Sequence, residues 1–253
     1  MKDEYIRSLS SWLSCFMTIL VITTVLAGCD NTETEEALVL PPPSLVLLTS
    51  VQPTVQPTVA PTIMLTPTLE ILGPDYLNID IKAGPIDLPL ELQIPSLKVN
   101  APMLGVGLTS GNLMDAPKGP IDDPIWHKAY WYRGSGIPGE PGTATIAGHV
   151  TNHTGPEIFA NLEDLNPGDL IIIHIKDSTV DIRFVVDQVE IYSIEESSDP
   201  AILTKIFGSG PLAGTGPQPA PDGLSHLTLV TCAGGITGGA FNHHTVVYAT
   251  RSN

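Results

Sequence analysis

Asn166-Pro167-Gly168-Asp169-Leu170-Ile171-Ile172-Ile173-His174-Ile175-Lys176-Asp177-Ser178-Thr179-Val180 is the stretch that decides the fold class. Its first four residues form a turn, because proline presets one backbone dihedral and glycine permits the unusual one that follows. Leu170 to Ile175 is an apolar, largely β-branched run, too short for a stable helix. Lys176 to Thr179 reads as a hairpin connection into a second strand over Val180–Tyr192. The same pattern recurs on either side. Leu90-Glu91-Leu92-Gln93-Ile94 alternates apolar and polar side chains, as a half-buried strand does. Thr143-Ala144-Thr145-Ile146 is a short strand after the Pro141-Gly142 turn, and Leu227–Cys232 and Thr245–Thr250 supply the last two. Helical signals are confined to two short stretches. One lies near Glu157–Leu165; the other is near Pro200–Phe207, with Asp199 as cap and Pro200 in the first turn. The fold class is therefore mainly β, with about eight strands and two short helices, which predicts a closed or nearly closed β-barrel.

Composition divides the chain before chemistry does. The 253 residues carry a formal net charge of −16, with 15% charged residues and 24 prolines. That balance argues against nucleic-acid binding, which needs a basic face to neutralise phosphates. It also argues against docking on anionic lipid through a basic patch. Residues 1–28 read as a targeting segment: Lys2 and Arg7 precede an apolar run from Trp12 to Leu26, short for a membrane span but suited to a secretory signal. The run ends in Leu26-Ala27-Gly28-Cys29, which resembles the lipobox of bacterial lipoproteins and makes Cys29 the expected lipidation site. An uncleaved signal anchor is the alternative. Either one places the rest of the chain at the cell membrane, on the extracytoplasmic face. Residues 29–85 hold an acidic patch and the repeat Val51-Gln52-Pro53-Thr54-Val55-Gln56-Pro57-Thr58, whose recurring proline blocks helix and sheet alike. They read as a disordered, Pro/Thr-rich stalk ahead of a catalytic domain over residues 86–253.

Three cysteines are present: Cys15 in the signal, Cys29 at the lipidation site and Cys232 alone in the folded domain. Outside the cytoplasm a lone thiol tends to be oxidised, so one retained there is a candidate nucleophile. Cys232 follows an apolar strand and precedes Ala233-Gly234-Gly235, a strand end where a side chain is both fixed and accessible. The competing reading is a small buried hydrophobe. A thiol is mostly protonated near neutral pH and needs a base. Of the seven histidines, His149 ends the strand-like Thr145-Ile146-Ala147-Gly148-His149, again beside glycine. His153, four residues on, has metal-ligand spacing only on a helix. The segment reads as strand and no metal site is expected.

At these residues the chain resembles the sortases. Thr228-Leu229-Val230-Thr231-Cys232 is similar to the family's TLxTC signature, and Ile146-Ala147-Gly148-His149 to the segment carrying its catalytic histidine. Trp131-Tyr132-Arg133-Gly134 and Pro138-Gly139-Glu140-Pro141-Gly142 resemble class F sortases in particular. Phe159, Leu162, Leu165, Gly168 and Asp169 match the stretch after the histidine, and Val246-Val247-Tyr248-Ala249 the closing strand. The resemblance implies an eight-stranded barrel and a cysteine transpeptidase that needs no cofactor. Cys232 would attack a C-terminal sorting signal of the LPxTG kind and form a thioacyl-enzyme. His149 would shuttle the protons, and an amine in the cell wall or on another protein would accept the product. The expected partners are secreted proteins bearing that signal, that amine acceptor and the membrane.

The resemblance also implies a third residue, an arginine on or near the last strand, and here the sequence departs from the pattern. No arginine lies between Cys232 and Val246; His244 falls about where it belongs and is the expected substitute donor. Arg133 and Thr231 are the candidate substrate contacts. The missing arginine is the best support for an alternative, a catalytically weak or inactive sortase-like lipoprotein acting as a surface binding module. A cysteine hydrolase that passes the acyl group to water is a third reading.

Overall fold

The computed structural model describes Leu72–Gly73 and Asp80–Ser252. The expected signal segment, Cys29 and most of the expected stalk lie outside the described residues.

Eight strands close a barrel. They are β1 (Ile86–Ile94), β2 (Val99–Val106), β3 (Ala129–Tyr132), β4 (Gly142–Ala147), β5 (Leu170–Ile175), β6 (Asp181–Ser193), β7 (Ser225–Thr237) and β8 (Ala240–Arg251). Round the barrel their order is β1-β2-β3-β4-β7-β8-β6-β5. Two contacts are parallel, β2 with β3 and β4 with β7; the others are antiparallel. Alternation along the strands separates an inner from an outer set of side chains. Leu90, Leu92, Trp131, Ile146, Phe184, Leu227, Leu229 and Val247 are inaccessible to solvent and belong to one continuous core. The outward residues Val246 and Tyr248 of β8 are covered instead by Ile206 of helix α1 (Pro200–Phe207). That helix starts as its sequence requires: the Asp199 carboxylate accepts the Ala201 amide at 2.8 Å and Pro200 occupies the first turn.

The structure departs from the sequence reading, or adds to it, at three places. The stretch near Glu157–Leu165 is a run of turns with a 3-10 segment at Leu162–Asp164. Its buried residues Phe159, Leu162 and Leu165 recur every third position, and the Leu162 and Leu165 amides bond three residues back, to Phe159 and Leu162. That is the period of a 3-10 helix. Second, β3 has no alternation to reveal it, because all four of its residues are buried. Third, β7 does not end at Cys232. It runs on to Thr237 and returns through Gly238 and Gly239, both at positive φ, the glycine-rich geometry of a tight hairpin. An irregularity between Ala233 and Ile236, with Gly234 at φ 74°, interrupts the β7–β8 register just beyond the cysteine.

The chain is also engaged ahead of residue 86. Leu72 is fully buried in the barrel's core cluster. The Ile81 carbonyl accepts the Leu108 amide at 2.8 Å. Arg133 donates to the Asp80 and Ala83 carbonyls at 3.1 and 2.7 Å. Such contacts leave no periodic trace in the sequence, whereas strand β1 does.

Because Leu229 is fully buried, Leu229→Ala is expected to lower unfolding free energy by about 2–5 kcal/mol, measured by chemical denaturation.

Candidate active site

The site begins with the register of two parallel strands. In the β4–β7 ladder, Ala147 is paired with Val230. Two residues further along each chain stand His149 and Cys232, so equal offsets carry both side chains past the same end of the barrel. On the other flank of β7, Cys232 is paired directly with His244 of β8. Directly opposed residues in an antiparallel pair share a face. Along β7, Leu227 and Leu229 face the core while Val230 joins the outer cluster. Cys232 follows Val230 by two and so lies on the outer face, as an exposed free thiol. His149, Cys232 and His244 line one cleft of about 620 Å³ together with Lys118, Trp126 and Phe207.

The support beneath the histidine is specific. The Thr231 hydroxyl donates to the Gly148 carbonyl at 2.9 Å, and the Gly148 amide donates to the Val230 carbonyl at 3.2 Å. These bonds tie the segment bearing His149 to the strand bearing Cys232. Gly148 is required by packing: a Cβ there would stand 2.5 Å from the Phe159 ring. The His149 ring lies against Trp126, with centroids 4.7 Å apart, and meets Tyr130 edge-on at 5.4 Å. Its Nε2 is 2.9 Å from the Pro117 carbonyl. A carbonyl only accepts, so Nε2 carries the proton and Nδ1 keeps the lone pair of the neutral ring.

Burial sets the protonation states. It pushes the Cys232 thiol up, a rise partly offset by the charge of Lys118. It pushes His149 down; the Pro117 hydrogen bond opposes this and the Lys118 charge adds to it. Both shifts favour a neutral thiol beside a neutral imidazole at rest. His244 is also lowered by burial, and its Nδ1 lies 3.1 Å from the Ser197 hydroxyl.

The structure therefore brings four of the sequence's candidates to one cleft, Cys232, His149, His244 and Thr231, and places Arg133 elsewhere. Thr231 is largely buried, and its hydroxyl serves Gly148. Arg133 is absent from the cleft lining and holds the chain before β1. The β2–β3 connection that supplies Pro117, Lys118 and Trp126 gave no sequence signal, since its cohesion comes from side chain-to-backbone bonds rather than periodicity. The Trp126 indole donates to the Pro120 carbonyl at 2.9 Å, and the Asp123 carboxylate accepts the Ile125 amide at the same distance.

A family model described as a sortase domain matches residues 92–252. The chain belongs to the sortase family. Solved sortases have similar folds at low identity. The lid mutant of sortase A from Corynebacterium diphtheriae is 21% identical over 71% of this chain and 76% of that one, with a TM-score of 0.46. Sortase C-1 from Actinomyces oris is 19% identical over 74% and 83%, with a TM-score of 0.44. A Clostridium perfringens sortase D5 transpeptidase is 19% identical over 65% and 78%, with a TM-score of 0.42. No curated protein matches the chain. The family assignment rests on the family match, and the reading of this sortase's site rests on its own geometry.

Thr231→Val keeps the shape of the side chain but leaves the Gly148 carbonyl unpaired. We expect a loss of about 1–3 kcal/mol in stability, read by thermal or chemical unfolding.

Proposed function

We propose that this sortase is a class F-like cysteine transpeptidase at the outer face of the cell membrane. It cleaves a C-terminal sorting signal of the LPxTG kind and transfers the protein to an amine. The observation that carries this reading is the placement of Cys232 and His149 at equal offsets beyond one parallel strand pair, inside one cleft.

The chemistry follows from that placement. The Cys232 proton passes to the free Nδ1 of His149, and the thiolate adds to the peptide carbonyl carbon. The carbonyl electron pair moves onto oxygen. As the carbon–nitrogen bond breaks, protonated His149 gives its proton to the departing amine, and a thioester remains on Cys232. An incoming amine attacks that thioester, losing a proton to His149, and the new amide leaves as the thiol is restored. Splitting amide exchange into two steps through a thioester conserves acyl-transfer potential for the second bond. His244 serves as the hydrogen-bond donor at the oxyanion. It donates from Nε2 when Ser197 turns its hydroxyl proton from the Ile194 carbonyl to His244 Nδ1, both 3.1 Å from the hydroxyl; the Ile194 carbonyl then keeps Ser198 as its donor at 2.7 Å. A lipid on Cys29 or an uncleaved anchor would hold the enzyme where secreted substrates emerge.

A second reading, a binding module that keeps the barrel without the chemistry, is favoured by one observation: among the described residues no arginine lines the cleft. One experiment separates the two. The protein is incubated with a panel of LPxTG-like peptides and triglycine, and the products are examined by mass spectrometry. Transpeptidation predicts an acyl adduct on Cys232 and a ligated product, both lost in Cys232→Ala and His149→Ala. Adduct with hydrolysed peptide alone would favour water as the acceptor. No adduct together with an unreactive Cys232 would leave the binding module.

The pKa directions give a second expectation. Activity requires thiolate and imidazolium together. It falls as pH drops through the depressed histidine value, because the thiolate vanishes, and falls again as pH rises through the elevated cysteine value, because the imidazolium vanishes. The kcat/KM profile should be a bell whose acid limb lies below histidine's ordinary range and whose alkaline limb lies above cysteine's. These limbs belong to the coupled pair. An alkaline limb at or below the ordinary thiol value would contradict the partly desolvated, neutral pair.

A further inference from the structure

The oxyanion that forms when Cys232 adds to a carbonyl is stabilised by positive charge, and burial lowers the pKa of His244, disfavouring its charged form. The arginines of the described residues stand elsewhere. Arg133 holds the Asp80 and Ala83 carbonyls, Arg183 pairs with Asp181 and Arg251 donates to the Gly139 carbonyl at 2.7 Å. Of the lysines, Lys128 pairs with Asp87 and Lys205 sits 3.9 Å from the centroid of the Tyr248 ring. Lys118 is the one cation among the described residues that lines the cleft with Cys232 and His149. It has no ion-pair partner among them.

Its position is fixed from both sides. Pro117, immediately before it, accepts from His149 Nε2 at 2.9 Å, and the Tyr130 hydroxyl, which donates to the Ile125 carbonyl at 2.5 Å, stands 3.4 Å from it. Pro120, just after it, accepts from the Trp126 indole at 2.9 Å. Between these anchors, Gly119 lies so close to Asp123 that a Cβ would stand 2.6 Å from its Cβ. The backbone carrying Lys118 is therefore clamped to the catalytic histidine and to the aromatic wall behind it. The flexible stem can lie along the apolar lining while the ammonium stays at the cleft mouth.

We infer that the Lys118 ammonium supplies the positive charge that faces the oxyanion, from the β2–β3 connection instead of the last strand. The inference rests on Cys232 being the nucleophile. It divides between two residues what a single arginine would provide: His244 gives a directed hydrogen bond and Lys118 a point charge. Such a charge acts most strongly once the substrate has displaced water from the cleft.

The test separates addition to a carbonyl from simple thiolate reactivity, and needs no sorting motif. p-Nitrophenyl acetate acylates a thiol through an oxyanion: the thiolate adds to the acetyl carbon and p-nitrophenolate leaves. Iodoacetamide alkylates the same thiolate by displacing iodide, without an oxyanion. Both adducts are quantified on Cys232 by peptide mapping of the whole chain, in wild type, Lys118→Met and Lys118→Arg. Lys118→Met should slow acetylation by about tenfold or more beyond any change in alkylation, and Lys118→Arg should restore most of the difference. Equal slowing of both reactions would overturn the inference, because Lys118 would then act only on thiol ionisation. So would no slowing of either. A wild-type protein that is acetylated on Cys232 but processes none of the LPxTG-like peptides counts against the proposed substrate alone and leaves the Lys118 comparison intact.

Discussion

The parallel pairing of β4 with β7 is the constraint on which the site depends. Parallel neighbours cannot be joined by a tight turn, so a long connection must separate them in sequence. Here that interval holds the turns after His149, two further strands and α1. In return, residues distant in the chain are delivered to one end of the barrel in a register set by backbone hydrogen bonds. A slip of one residue would turn Cys232 into the core and Thr231 out of it. The inward packing of Leu227 and Leu229 opposes that slip, and the Thr231–Gly148 hydrogen bond adds a polar constraint at the point where β4 stops and the histidine begins.

Electrostatics complements this geometry. The cleft is partly buried, so it favours the uncharged forms of both Cys232 and His149. The cost is that little thiolate exists at any moment. A nearby point charge eases that cost without fixing a permanent ion pair. Lys118 already offsets part of the rise at the thiol and adds to the fall at the imidazole.

Much of the fold was legible because strands with one buried face announce themselves by alternation, as Leu90 to Ile94 does, or by β-branched runs, as Leu170 to Ile175 does. The pairing of His149 with Cys232 was legible from motif and from the oddity of a lone thiol. What stayed hidden had no periodic signature. β3 is buried on both faces, and Phe159, Leu162 and Leu165 follow a three-residue period easily mistaken for helix. The connection carrying Lys118 and Trp126 is held by hydrogen bonds to carbonyls, whose acceptor identity is the same at every residue.

The barrel is closed, yet its longer strands outrun their neighbours. β4 pairs with β7 only as far as Val230, whereas β7 continues to Thr237 with β8 on its other side. The end of the barrel that carries Cys232 is therefore built from a two-stranded extension, not from the full cylinder. The long connection between β6 and β7, which places Phe207 at the cleft, lies outside the hydrogen-bonded ladder that sets the positions of Cys232 and His149. Such a loop can be edited while the sheet holds both side chains where they are.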